Sequence, residues 1–461
     1  MTKLNVLIGL VMFAAPVALG GEFTPATAIG LRVGAEAPVV AYVAKGSPAA
    51  RAGLLVGDRI EKVGKQAARG SCEALVNAII DRARKAGQDS ARLSFRVKRG
   101  GAKKTIEFTV ALREIDVSVA VNRGLDFLAK ISNDDPDYKA TRTRAFYAPI
   151  IYAPLAGLAF LANGSTRVEG RHSAAIRRTL AFVMKHGGTR KPAQDAINKA
   201  VGGNICSLTH NAGFSAMFLA QLLASESPSG PELDVSIKEI RARLSVCCRT
   251  LERIAKPNGG WQHGSGGRNM LGYTHLTAAT ITAMNGLGMA RQVGIKVDDA
   301  VIKRGLAYLA KATSDGQVGY AVGNRGSFSA GRNAGYLQCL YRNGLGKDKS
   351  AKAVLAKLLK NIDKAGTGHG SPTWHLFYVA LATGRLDADG AERFSALYGK
   401  RLIGNQQADG SIRAIAPPGI APAKAEENRV WGALYTTPLI TMVLLAPYRQ
   451  NELLYSFGVP R

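Results

Sequence analysis

The chain has 461 residues, 46% of them hydrophobic and 20% charged. This balance excludes a disordered chain, and the length exceeds what one ordinary core accommodates. The 61 Lys and Arg against 33 Asp and Glu give a formal charge of +28, a field that favours anionic partners or is a basic solvated surface. The basic residues are spread over many segments rather than gathered into one stripe, which speaks against nucleic acid.

The N-terminus reads as an export signal over residues 1–21. Lys3 precedes an uncharged run that ends in the small residues Ala18, Gly20 and Gly21, as a cleaved leader does. Cleavage near Gly20 places the mature chain in the periplasm or outside the cell. A run of this length also serves as an uncleaved anchor. The five cysteines, Cys72, Cys206, Cys247, Cys248 and Cys339, follow no regular spacing. They are read as structural thiols rather than a disulfide framework.

Residues 28–115 form the first folded unit. Short β-rich runs at 39–43, 93–98 and 105–112 surround one helical segment, 73–85, whose Leu75, Ile79 and Ala83 share a face. A tight turn is expected at Gly100 and Gly101. The stretch Gly46-Ser47-Pro48-Ala49-Ala50-Arg51-Ala52-Gly53-Leu54, followed by Gly57-Asp58-Arg59-Ile60, resembles the PDZ signature of bacterial periplasmic proteases. Pro48 suits a helix start, and Gly53 and Gly57 supply turn conformations. The resemblance implies an α+β domain that binds extended peptides, often C-termini, by adding a strand to a sheet edge. It also implies that Ile29, Gly30 and Leu31 form the loop that cradles the peptide carboxylate, with Arg32 adding charge attraction. A PDZ domain that only docks onto its neighbour is the alternative. Neither a GxSxG elbow nor a Ser/His/Asp arrangement accompanies it, so no protease is expected.

From residue 116 to 461 one two-helix unit of roughly 40–60 residues recurs six times, the mark of a repeat architecture. Its basic amphipathic members are 118–133, 171–187, 235–257, 297–314, 349–364 and 390–406. Their nearly uncharged partners are 145–163, 208–225, 271–290, 327–340, 369–384 and 431–448. An amphipathic helix suits an outer layer and an uncharged one an inner layer. Six pairs suffice to close a ring. The uncharged segments carry His210, Asn211 and His275, and most of their apolar runs are too short to span a bilayer.

The layout resembles the all-α (α/α)6 toroid of terpenoid cyclases, protein prenyltransferases and several polysaccharide lyases. Gln406-Gln407-Ala408-Asp409-Gly410-Ser411 resembles the start of the QxxxGxW repeat of triterpene cyclases, with Ile412 where tryptophan is usual. Asn258-Gly259-Gly260-Trp261 and Ser314-Asp315-Gly316-Gln317 occupy equivalent turns. Their expected role is structural: glycine closes the helix and the next residue packs between repeats. The order signal, PDZ, toroid is also similar to that of a family of exported bacterial proteins without an assigned activity.

The chain departs from the enzymes of this fold in several ways. The DxDD acid of triterpene cyclases is missing. Cys206 and His210 are two residues of zinc-ligand type without two evident further ligands, so no metal or cofactor is expected. The inner segments lack the carboxylate pair of inverting glycosidases, and only Asp409, Glu426 and Glu427 lie in nearby loops. The inner segments do carry His210, Asn211, Tyr273, His275, Arg332, Asn333, Tyr336, His369, Trp374 and His375, mostly near their starts. Polysaccharide lyases on this scaffold use such a set. Asn, His or Arg neutralises a uronate carboxylate while Tyr or His removes the neighbouring proton. Three readings follow. The first is an exported scaffold that binds peptide termini and an anionic or apolar ligand at the ring mouth. The second is a polysaccharide lyase acting on uronates, with His210, Asn211, Tyr273, His275, Arg332, Tyr336 and His375 as its site. The third is a terpenoid cyclase-like enzyme.

Overall fold

Strict alternation of buried and exposed side chains builds the N-terminal module. The computed structural model describes residues 31–33, 38–43, 48–68, 72–135, 148–189, 208–226, 233–262, 275–367, 371–415, 432–448 and 453–457. Residues 1–21, Ile29, Gly30, Cys206, Tyr273, His369, Glu426 and Glu427 lie outside these. A two-stranded sheet joins β1 (Leu31–Val33) to β2 (Val40–Val43), and the short helix α1 (Pro48–Arg51) follows. The strands β3 (Arg59–Val63) and β4 (Gln66–Ala67) precede helix α2 (Cys72–Lys85) and the long hairpin of β5 (Ser90–Arg99) and β6 (Ala102–Ala111). The second sheet runs in the order β4-β3-β5-β6.

Ala91, Leu93, Phe95 and Val97 of β5 are buried, while Arg92, Arg96 and Lys98 between them are exposed, the period-two pattern of a one-sided sheet. Gly100 and Gly101 turn the hairpin at φ 54° and 89°, the doubly positive pair that matches strand twist. Helix α2 buries Val76, Ile80 and Ala83 against this sheet.

The signature loop is pinned by one ion pair. Asp58, buried, accepts from Arg99 Nε at 2.6 Å and Nη2 at 2.7 Å, and from the Leu55 N–H at 3.0 Å. The guanidinium of Arg99 holds the Asp58 carboxyl below its usual value.

Strand β6 runs directly into α3 (Leu112–Asp134). Leu112 belongs to the core of the N-terminal module and Val117 to the helical core, so one helix carries a foot in each. The remaining helices alternate. The inner members are α4 (Ala148–Ala162), α6 (Leu208–Ser225), α8 (Thr277–Gln292), α10 (Ala330–Arg342), α12 (Pro372–Leu386) and α14 (Ala433–Leu445). The outer members, with α3, are α5 (Ser173–His186), α7 (Ile237–Ile254), α9 (Asp299–Lys311), α11 (Lys349–Lys360) and α13 (Ala388–Gly404).

Inner helices are buried on nearly every side, as α6 is from Leu208 to Leu222 apart from His210. Outer α7 buries one stripe, Ile240, Leu244, Cys247, Cys248, Thr250 and Leu251. Each inner helix packs on the next, and α14 packs on α4. The ring is closed. No helix among the described residues is long and apolar enough to cross a membrane.

One boundary departs from the sequence pattern. Of the apolar run expected as helix from 271, residues 271–274 lie outside the described residues, His275 and Leu276 are not helical, and the helix begins at Thr277. Leu276 is extended and donates its N–H to Trp261 O at 2.8 Å, which ties it to the turn after α7. The four described cysteines are free and buried. Burial raises the thiols of Cys247 and Cys339 to about 12, which keeps them protonated and inert.

Glycines after the outer helices join neighbouring repeats. Gly259, Gly316 and Gly410 have φ 87°, 70° and 90°. A Cβ on them would stand 2.0 Å from Arg304 O, 2.5 Å from Ala353 O and 2.3 Å from Arg123 O. Each oxygen lies on the next outer helix round the ring, and the Gly410 contact with α3 closes the outer layer. The residues that follow fill the space between repeats: Trp261, Val318 and Ile412 have no exposed surface.

A last short helix, α15 (Leu453–Ser456), crosses the C-terminal ends of the inner helices. Arg342 donates to Leu453 O and Leu454 O, Gln221 accepts from the Leu454 N–H, and Tyr455 donates to Met442 O.

Candidate functional site

The N-terminal ends of the inner helices are linked in sequence by side-chain hydrogen bonds. Thr209 of α6 donates to Gln262 O at 2.6 Å, ahead of α8, and Thr277 of α8 donates to Gly319 O at 2.7 Å, ahead of α10. Ser329, the N-cap of α10, meets His375 Nδ1 of α12 at 3.0 Å, and Ser371, the N-cap of α12, donates to Tyr435 of α14 at 3.1 Å. These contacts join adjacent repeats, and of the residues singled out from the sequence they include His375 alone.

The fourth residue of successive inner helices takes the same position. Asn211 Nδ2 donates at 3.2 Å to the carbonyl of His186, the last residue of α5. Thr280 Oγ1 accepts from the Trp261 N–H at 3.0 Å. Asn333 Oδ1 accepts from the Val318 N–H at 3.0 Å, while its Nδ2 donates to Gly316 O at 2.7 Å. Thr436 Oγ1 donates to Ile412 O at 2.6 Å. His375 is the fourth residue of α12. Polar side chains here satisfy the backbone of the preceding turn, whose buried N–H and C=O groups would otherwise lack partners. Thr280, Thr436, Ser329 and Ser371 were not singled out from the sequence. Their signal is positional, and it emerges only when the helix starts are aligned.

The other candidates divide. Arg332 donates through Nε to Val318 O at 3.2 Å and through Nη2 to Ser327 O at 2.6 Å, and lies 5.7 Å from the Tyr320 ring centroid. Burial lowers its pKa to about 10, so it remains a cation at neutral pH. The Arg332 N–H donates to Ser329 Oγ, which leaves that hydroxyl's proton for His375 Nδ1. Arg332 and His375 thus share one serine. Tyr336 lies deeper in α10 and turns to the outer layer, its hydroxyl bonded to Ser350 of α11, and burial raises its pKa.

His275 packs edge-on against Tyr308 at 5.3 Å. The Asn258 amide oxygen accepts from the Gly260 N–H, so its nitrogen faces His275 Nδ1 at 3.2 Å and the imidazole accepts there. Burial, with the charge of Lys256, lowers the His275 pKa. His210 stacks along Phe214 with centroids 6.0 Å apart. Among the described residues no group of three or more His, Cys, Asp or Glu side chains could hold a metal ion.

In the N-terminal module, Leu31 is buried and Val33 packs against the same core as α2. Strand β1 pairs with β2 along one edge only among the described residues. The backbone of its other edge is the kind of template that an added strand uses.

A PDZ domain model matches residues 39–85, the span from β2 to the end of α2. The chain is a PDZ domain joined to a closed (α/α)6 toroid. Within the toroid, residues 238–445 match a family model described as a domain of unknown function, DUF6288. No curated protein sequence matches the chain. Among solved structures, a variant of the type II terpene cyclase MstE from Scytonema in complex with its product merosterolic acid A shares 15% identity. It has a TM-score of 0.43 over 72% of this chain and 96% of that chain. The apo form of that cyclase shares 16% identity with a TM-score of 0.41, over 72% and 98%. A glycosidase variant in complex with glucose shares 15% identity with a TM-score of 0.44, over 73% and 98%.

Proposed function

We propose that the protein is an exported interaction scaffold. Its PDZ domain captures the free C-termini of extended peptides along β1, and the toroid is the rigid body that presents it and receives an anionic ligand at its mouth. The observation that carries this reading is that, among the described residues, β1 pairs along one edge only, beside a PDZ signature loop. An added strand gains main-chain hydrogen bonds, and a carboxylate gains the amides at Ile29, Gly30 and Leu31. Export rests on Lys3 and the apolar run behind it, and places the protein in the periplasm or outside the cell. The scaffold role of the toroid is supported by the commitment of Asn211, Asn333 and Arg332 to the backbone of its turns. A lyase needs its base and its carboxylate-neutralising group to face one substrate, whereas Tyr336 turns to Ser350 of the outer layer.

The test is calorimetric or fluorescence titration of a C-terminal peptide library against the mature chain. Peptides with free carboxylates bind, their amidated counterparts bind at least about tenfold more weakly, and Gly30→Glu abolishes capture by setting a second carboxylate in the loop. Equal binding of both peptide forms, or no response to Gly30→Glu, overturns the reading.

A further inference from the structure

The end of the PDZ sheet opposite its junction with α3 carries a surface that peptide capture does not use. Among the described residues, the exposed large hydrophobic side chains are isolated except for one adjacent pair, Leu55 and Val56, at 52% and 65% exposure. They sit at the tip of the signature loop, which the Asp58–Arg99 ion pair and the Arg99 contact to Gly53 O hold against the β5–β6 hairpin. The pair therefore rests on a fixed support. Isolated surface apolar residues need no explanation, whereas adjacent ones on a rigid tip mark a contact surface.

The strands beside this tip carry cations. Arg59 pairs with Lys98 across β3 and β5, and Lys98 pairs with Lys103 across the hairpin. Arg59, Lys98, Lys103 and Lys104 are all exposed. Segments 51–59 and 97–104 hold six basic residues and one acid. That acid, Asp58, is buried and bound to Arg99. Ser90, at the far end of β5, pairs with Ala111 where the chain enters α3. Ten-residue strands at ~3.3 Å per residue put the tip about 30 Å from that junction.

We propose that this tip docks the protein on an anionic lipid surface. Leu55 and Val56 enter the boundary between headgroups and acyl chains, and Arg59, Lys98, Lys103 and Lys104 meet the lipid phosphates. The aliphatic pair at the centre decides against nucleic acid, which takes bases on aromatic platforms within a basic groove. An acidic protein would use the cations but has no comparable use for a bare aliphatic tip.

The experiment is flotation of the mature chain, residues 22–461, with vesicles of phosphatidylcholine alone and of an equimolar mixture with phosphatidylglycerol. Binding to the mixed vesicles and not to the neutral ones is expected. Leu55→Ser/Val56→Ser lowers it by about tenfold or more, from two aliphatic side chains left in water. Lys103→Gln/Lys104→Gln lowers it by more than about tenfold at low salt. Lys349→Gln/Lys352→Gln on α11 leaves it unchanged, which separates a local surface from the field of the whole chain. A Leu55→Trp chain is quenched by lipids brominated in the acyl chain. Undiminished binding of the Leu55→Ser/Val56→Ser chain, equal loss on α11, or an unquenched Leu55→Trp chain overturns the proposal. Peptide capture measured on the same preparations distinguishes loss of this surface from loss of the PDZ fold.

Discussion

Replacing Gly259 by alanine tests the joint between repeats. At φ 87° an L-residue is strained, by about 1–2 kcal/mol. Its Cβ would also lie 2.0 Å from Arg304 O and 2.4 Å from Arg304 C. A backbone carbonyl in the middle of α9 cannot rotate aside, so α7 and α9 must part, and Trp261 beside the turn loses its close packing. Overpacking of this kind adds about 1–3 kcal/mol, for a total of roughly 2–5 kcal/mol. Gly323→Ala is the matched control, because that glycine has φ 77° and nothing within 4 Å of its Cβ position. It should destabilise by about 1 kcal/mol, from backbone strain partly offset by reduced freedom of the unfolded chain. Urea unfolding followed by tryptophan fluorescence reads the toroid alone, since the three tryptophans are Trp261, Trp374 and Trp431. If Gly259→Ala is no worse than Gly323→Ala, the glycine does not seat one outer helix against the next, and the reasoning for Gly316 and Gly410 fails with it.

Gln406→Ala removes donors to Ala120 O at 2.8 Å and Gly410 O at 3.0 Å. It should cost about 1–2 kcal/mol, and hydrogen exchange should rise in α3 and α13 but not in α7 if the ring closes there. Asp58→Asn breaks the bidentate pairing with Arg99 in the PDZ domain and should lower its stability by about 1–3 kcal/mol, read from amide exchange along β5. Because the Asp58 carboxyl is held below its ordinary 3.8, its contribution is present above that value. It disappears as pH falls through the folded-state value, and Asp58→Asn should remove this part of the acid sensitivity. The pKa of His275 is lowered from 6.5. Below 6.5 the unfolded chain takes the proton first and stability falls toward the folded-state value, so His275→Gln should flatten the urea midpoint against pH in that window.

The architecture was legible because burial is written into composition. The segment 208–225, with no charged residue, is α6 to the residue, and the basic segment 349–364 is α11 with its terminal turn. Closure followed from the number of pairs, but the particular contacts that close the ring did not. Gln406 with Ala120 and Gly410 with Arg123 lie nearly three hundred residues apart in sequence, and no local pattern couples them. The start of α8 was misplaced because Leu276 is apolar in either setting. Its pairing with Trp261 in an isolated bridge, a tertiary contact, decides that it is extended.

The site was harder to read for a reason that lies in the repeat itself. A polar residue one turn into a buried helix reads as chemistry when its segment is taken alone, as Asn211 and Arg332 do. Aligned on their helix starts, Asn211, Thr280, Asn333 and Thr436 occupy one position, and each binds the backbone of the turn before it. The glycine turns at Gly259, Gly316 and Gly410 make that need recur, because the residues after them, Trp261, Val318 and Ile412, are buried against the inner layer. A side chain that catalysed instead would leave those backbone groups unpaired, at about 1–3 kcal/mol each. Chemistry in this toroid therefore has to come from side chains that the turns do not use. His375 sits in the same row and meets the Ser329 hydroxyl, which also accepts from the Arg332 N–H, at helix starts where the ring uses a serine to bridge one repeat to the next.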